Sequence, residues 1–213
     1  HGAVRDTLTF ARQVFETEMN SAVDNPLVFG EEVISGGNFH GEPVAFALDY
    51  LAISLSALAS ISERRIERLV NPALSEGLPA FLASGAGLNS GFMMPQVTAA
   101  ALVSENKVYA HPASVDSITT SGNKEDFVSM GMTGAIKLKR IVENTTNVLM
   151  IEALCAAQAL DLLRPLTSTP RVEEAYKTIR GVTTFVDRDR ALTKDFADTA
   201  DLIRSGELAS LLA

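Results

Sequence analysis

The chain has 213 residues, with 18 Lys or Arg, 26 Asp or Glu, three His, one Cys and no Trp. That length suits one large or two small domains able to bury about 70% of their unfolded surface, and 46% apolar with 21% charged residues is a globular rather than a disordered composition. The net charge of −8 excludes broad nucleic-acid phosphate binding, which needs clustered cations, and the lone Cys155 excludes an internal disulfide framework and points to a reducing, cytoplasmic compartment.

His1–Asp6 has no basic region leading into a long apolar run and does not read as a signal peptide. The chain opens without Met, which leaves a processed, tagged or fragmentary start open. Val4, Leu8, Phe15 and Met19 recur near helical spacing and predict a helix over 3–19. Asn20–Gly41 is turn-rich, with breakers at Asp24-Asn25-Pro26 and Ser35-Gly36-Gly37-Asn38. A long helix follows over about 43–69, with Pro43 suited to its first turn, Arg64, Arg65 and Arg68 at its negative end, and Asn71-Pro72 as its stop. Residues 72–90 are irregular and Gly-rich, and helix resumes near 94–109. A second irregular stretch ends in Thr119–Asn123. A proline-free run then predicts one helix over 125–163 with Glu125 and Asp126 in its first turn, and shorter helices over about 171–180 and 190–204 complete the chain.

Two stretches are apolar enough to raise the question of a membrane. Pro43–Ser62 contains Asp49, and Asn147–Leu163 contains Glu152 and Asp161; ionised carboxylates are costly in a bilayer, so both read as buried helices with no membrane partner. A helix of about 38 residues is about 57 Å long, longer than the diameter of about 44 Å of a compact chain of this size. Its apolar residues, among them Val142, Val148, Ile151 and Leu160, cover most directions. This predicts that it packs against protein beyond this chain, either partner subunits or a missing part of the same one.

His1, His40 and His111 are far apart and no paired cysteines occur, so no metal site is predicted. Gly85-Ala86-Gly87 lacks the third glycine of a dinucleotide fingerprint. Cys155 and the sequon Asn144-Thr145-Thr146 both fall in a helix read as buried. Three loops carry more. Ser35–Gly41 surrounds Phe39 and His40 with glycines, which lets backbone approach a ligand, and reads equally as an interhelix turn with Phe39 in the core. Gly87–Gln96 mixes amides with apolar side chains and suits either a small amphipathic ligand or a capped helix start. Thr120–Ser129 sets Glu125 at a loop–helix junction, where it can cap the helix or accept a proton and bind a cationic ring.

In order, Asn20-Ser21-Ala22-Val23-Asp24-Asn25-Pro26-Leu27, Gly36–Gly41, Gly87–Met93, Ala113–Ile118 and Thr120–Asp126 resemble the C-terminal part of the aromatic amino acid lyase family, in its histidine-acting branch. The resemblance runs from Gly2 to about Leu208. It implies an all-α, long-helix bundle, with residues 1–213 forming the C-terminal helical portion of a larger, homotetrameric lyase chain. It further implies elimination of ammonia from L-histidine to give urocanate. The electrophile is a 4-methylidene-imidazol-5-one (MIO) group made from an Ala-Ser-Gly tripeptide in the N-terminal half of the family's chain, so no cofactor is expected within these residues and the chain alone is expected to be inactive.

By the same resemblance Glu125 is the catalytic glutamate facing the substrate imidazole. Phe39 borders the prosthetic group and substrate, Met93 lines the substrate side chain, and Asn123 has a supporting role. Ala83-Ser84-Gly85 lies where the family has a variable loop and reads as a decoy for the tripeptide. Two departures stand out: Lys124 replaces a common glutamine and Phe127 a common histidine. A carboxylate facing phenylalanine would be desolvated without a hydrogen bond in return, so Glu125 favours histidine as substrate. Two alternatives remain: a noncatalytic helical assembly module, or a lyase of the fumarase and aspartase type. Gly91-Phe92-Met93-Met94-Pro95-Gln96 lacks the serines and lysine of the latter's signature.

Overall fold

A computed structural model describes residues 1–211 of the chain. It is built almost wholly of helices: α1 (Gly2–Met19), α2 (Glu42–Val70), α3 (Met93–Tyr109), α4 (Gly131–Leu162), α5 (Pro170–Val182), α6 (Thr193–Arg204) and the single turn α7 (Glu207–Ser210). The all-α expectation therefore holds. Two departures from the sequence reading affect the site. Residues 27–34, read as turn, form a hairpin of β1 (Leu27–Phe29) and β2 (Glu32–Ile34), antiparallel with Val28 opposite Val33. The two-residue loop Gly30-Glu31 turns with Gly30 at φ 63°, a left-handed value that glycine adopts without penalty.

The second departure is the start of α4, at Gly131 rather than 125. Met130 has φ 57°, outside the helical region, so the helix cannot extend back through it. Glu125 and Asp126 thus lie in a loop, not in a first helical turn. At 32 residues α4 is about 48 Å long.

The chain forms two compact units, and α2, α3 and α4 each contribute residues to both. The first unit comprises His1–Leu58 and Asn106–Val142. Its buried apolar cluster is Ala11, Ala47 and Leu51, with Val14, Phe15 and Leu138 packed against it. By length and composition alone α2 is apolar enough to cross a bilayer. Its Asp49 is nevertheless buried, and Ser114 N–H donates to its carboxylate at 2.7 Å. Burial favours the neutral carboxyl, but the donors from Ser114 and Ala113 outweigh it and hold Asp49 below its ordinary value.

The second unit comprises Ala59–Glu105 and the chain from Glu143 onward. Its core includes Ile66, Leu82, Phe92, Val148, Ile151, Leu154 and Cys155. Burial pushes the Cys155 thiol well above its ordinary value, so it packs as a small apolar side chain. Several polar groups in this unit are paired, although the buried Thr199 hydroxyl has no partner. Glu152 takes Arg65 and the Ser62 hydroxyl. Gln158 donates to the Val186 carbonyl at 2.8 Å and accepts the Val186 N–H at 3.1 Å, tying α4 to the loop after α5.

Candidate active site

In the first unit, Phe39 and Glu125 lie in loops rather than helices, and side chains distant in sequence hold those loops in place. Asn25 Oδ1 accepts Gly36 N–H at 3.0 Å and the Ser35 hydroxyl at 3.3 Å, so the turn before the hairpin holds the start of the Ser35–Gly41 loop. At the far end of that loop, His40 Nε2 lies 3.0 Å from the Phe127 carbonyl, and the His40 and Phe127 rings stack at 5.5 Å with planes 6° apart. His40 Nδ1 faces Glu42 Oε2 at 3.5 Å.

The segment carrying Glu125 is fixed at both ends. Thr120 N–H donates to the Glu125 carbonyl at 2.9 Å, and the Thr120 and Ser121 hydroxyls each lie 3.3 Å from the Glu125 carboxylate. Between them, Ser121, Gly122 and Asn123 have φ 54°, 63° and 69°. Such a run of left-handed backbone is costly outside glycine and persists where the surroundings over-determine it, often at functional sites. Downstream, the Ser117 hydroxyl accepts Val128 N–H at 2.9 Å. Through Ser114, that loop is in turn fixed to Asp49.

These loops close around a cavity of about 340 Å³ lined by Phe39, His40, Glu125, Phe127 and the residues opening α4. The size falls within the range of about 300–1,000 Å³ common for small-molecule sites. The cavity's lining combines the rings of Phe39, His40 and Phe127 with apolar residues and Glu125. No Lys or Arg lines it, so Glu125 remains available to accept a hydrogen bond from a ligand N–H. A more apolar groove of about 500 Å³ adjoins, with Phe39, Ser129 and Met132 lining both.

Phe39 and Glu125 are thus brought to one cavity. Asn123 sits two residues before Glu125 in the strained turn, on the exposed surface. Met93 is the half-buried first residue of α3, in the second unit. Its loop is fixed from the C-terminal region: Ser90 and Gly91 N–H both donate to the Asp189 carboxylate at 2.8 Å, and Asp189 N–H donates to Asn89 at 3.3 Å. The two backbone donors hold the Asp189 carboxyl below its ordinary value. Gly91 has φ 51°, and a Cβ there would lie 2.6 Å from the Phe81 carbonyl oxygen, so no larger residue fits.

Reading the sequence assigned no supporting role to Asn25, His40, Asp49, Ser117 or Asp189. Local signals existed for Asp49, an acid within an apolar helix that must find buried donors, for His40 in its glycine-rich loop and for Asn25 in its turn. Among the described residues no group of three His, Cys, Asp or Glu side chains is placed to hold a metal ion.

A sequence model of the family described as aromatic amino acid lyase matches residues 1–181. Histidine ammonia-lyase from Koribacter versatilis is 70% identical over 99% of this chain, which covers 43% of that enzyme. The crystal structure of histidine ammonia-lyase from Trypanosoma cruzi superposes with a TM-score of 0.94 at 50% identity, over 99% of this chain and 42% of that one. Tyrosine aminomutase from Streptomyces globisporus gives 0.93 at 41% identity, over 99% and 40%. The chain therefore spans about two-fifths of the length of the relatives it matches.

Proposed function

This chain belongs to the aromatic amino acid lyase family, and from that premise we propose that it serves as the C-terminal helical part of a histidine ammonia-lyase, which converts L-histidine to urocanate and ammonia. The observation that carries the reading is the Glu125 carboxylate, held by neutral hydroxyls at a cavity that Phe39 also lines and no cation does. A histidine side chain presents an N–H to such an acceptor, whereas phenylalanine presents none. Glu125 binds that N–H, orients the ring and draws its proton as charge shifts in the substrate. Phe39, 52% exposed, offers an apolar face against which the ring is held and water excluded. Asn123 supports the turn that aims Glu125, and Met93 keeps the substrate-lining role that the family resemblance implies.

The family's MIO group is assigned to a tripeptide outside these residues, and when bound it supplies the electrophile. The exposed ring of Phe39 fits as the border of a flat conjugated group. Ala83-Ser84-Gly85 does not fit as its source. The Ser84 carbonyl accepts Asn89 Nδ2 at 2.8 Å and the Gly85 carbonyl accepts Leu88 and Asn89 N–H, so this turn is closed by its own loop. Dehydration of Ser84, seen as a mass loss, would overturn this assignment. The cavity also lacks a cation for the substrate carboxylate, which residues beyond it must supply.

Phe46, Tyr50 and Ile53 share one face of α2, at 56%, 47% and 47% exposure. In this reading partner subunits of a homotetramer cover that face. The buried, unreactive Cys155 suits a cytoplasmic enzyme. The deciding experiment follows urocanate absorbance with the full-length protein containing these residues. Turnover of L-histidine is expected, with far slower reaction of L-tyrosine and L-phenylalanine, and preference for either of these would refute the substrate assignment.

A further inference from the structure

Two segments that line the cavity, Ser35–Gly41 and Lys124–Met130, are far apart in the chain, and the His40 side chain links them. The Phe127 carbonyl can only accept, so at 3.0 Å it requires the proton on His40 Nε2, and the other ring nitrogen faces Glu42 Oε2 at 3.5 Å. The bond to the Phe127 carbonyl is thus the directional tie of this ring, while Glu42 Oε2 is buried without a hydrogen-bond partner of its own. Its ring lies parallel on Phe127, fixing the direction of that residue as well as its distance. Phe127 is two residues from Glu125 and His40 is next to Phe39. On the side of Glu125 away from Phe127, the backbone is clamped by the Thr120 pairing. The side toward Phe127 is held by His40 and, one residue further, by Ser117.

We propose that His40 is a positioning residue for Glu125: its Nε2–H···O bond and ring stack on Phe127 lock the Glu125 segment against the Phe39 loop and set the carboxylate's aim into the cavity. This rests on the reading of Glu125 as the group that faces the substrate ring. An error of about 1 Å in such a group can cost up to about a hundredfold in rate. A change that breaks only the His40 bond should cost less, about tenfold in kcat, with KM changed by less than about twofold.

The test is a double-mutant cycle in the full-length protein, with urocanate formation as the readout and thermal unfolding as the check on folding. His40→Phe keeps the stack on Phe127 and removes the donor. His40→Gln keeps a donor at the same reach and is expected to recover most of the rate. If His40 acts through Glu125, His40→Phe loses about tenfold in the parent and less than about twofold in the Glu125→Gln background, because neighbouring residues in one network are non-additive. A full loss in both backgrounds would make His40 a general structural residue and overturn the proposal while leaving the role of Glu125 intact. An unchanged rate for His40→Phe overturns it equally. If Glu125→Gln alone leaves the rate unchanged, the reading of Glu125 fails, and this inference with it. Should His40→Phe not fold, failure of the folded His40→Gln variant to retain the rate counts against the proposal.

Discussion

In the unit formed by His1–Leu58 and Asn106–Val142, the buried apolar cluster is Ala11, Ala47 and Leu51, while Phe39 and Phe127 stay 52% and 54% exposed. In the unit that begins at Ala59, Ile66, Phe92 and Ile151 are buried, and the acids Glu152 and Asp161 are paired with Arg65 and Arg180. The first unit fixes its loops with polar cross-links to backbone groups: Asn25 to Gly36, Asp49 to Ser114, Ser117 to Val128 and His40 to Phe127. Such bonds each contribute only about 1 kcal/mol net but define direction closely. Apolar burial in the second unit contributes more energy per side chain and less directional control. Stability and aim are thus supplied largely by different residues, and substitutions should separate them.

The largest expected effect tests the packed unit. Phe92→Ala removes a ring that is 2% exposed and should destabilise by about 3–5 kcal/mol in urea unfolding, with a loss below about 1 kcal/mol contradicting the core assignment. Gly91→Ala comes next. Its Cβ would meet the Phe81 carbonyl at 2.6 Å and Ala83 Cβ at 2.7 Å in a left-handed backbone, so about 2–3 kcal/mol should be lost, measured the same way.

In the other unit the readout changes from stability to rate. Glu125→Gln is expected to lower histidine turnover at least about tenfold. Because Glu125 is exposed, its stability should shift by less than about 0.5 kcal/mol. A matching loss of stability would erase the contrast between the units. The smallest effect is one of pH. Arg164, with Ser168 N–H, holds the Glu173 carboxyl down at about 2. A depressed acid stabilises the fold fully above its ordinary unfolded value near 4.5 and loses that contribution as pH falls toward about 2. Glu173→Gln should therefore flatten the fall of Tm over that acidic window and leave its slope near pH 7 unchanged.

The parts of the fold legible in the chain are those governed by near neighbours. Helices α1, α2, α3 and α5 lie within about two residues of where apolar spacing, Pro43, Arg68 and Asn71 place them, and Gly206, at φ 79°, ends α6 as a left-handed stop. The hairpin was harder to read because three-residue strands offer too short an alternation, leaving only Gly30-Glu31 as a signal. The start of α4 was misread for a different reason. Lys124-Glu125-Asp126 has the composition of a first helical turn, but long-range bonds hold Phe127 and Val128 out of helix and Met130 takes a left-handed conformation.

The sequence by itself determined that this is an all-α chain of the aromatic amino acid lyase family, because helical period and ordered motifs are local properties of the chain. It also singled out Phe39 and Glu125 as residues with chemistry to offer. Only the tertiary structure decided that these two share a cavity, that Glu125 sits in a strained loop rather than a helix, and that His40 joins the segments. Each depends on a contact between groups far apart in sequence, such as the 87-residue separation of His40 and Phe127, and no local propensity encodes such a pairing.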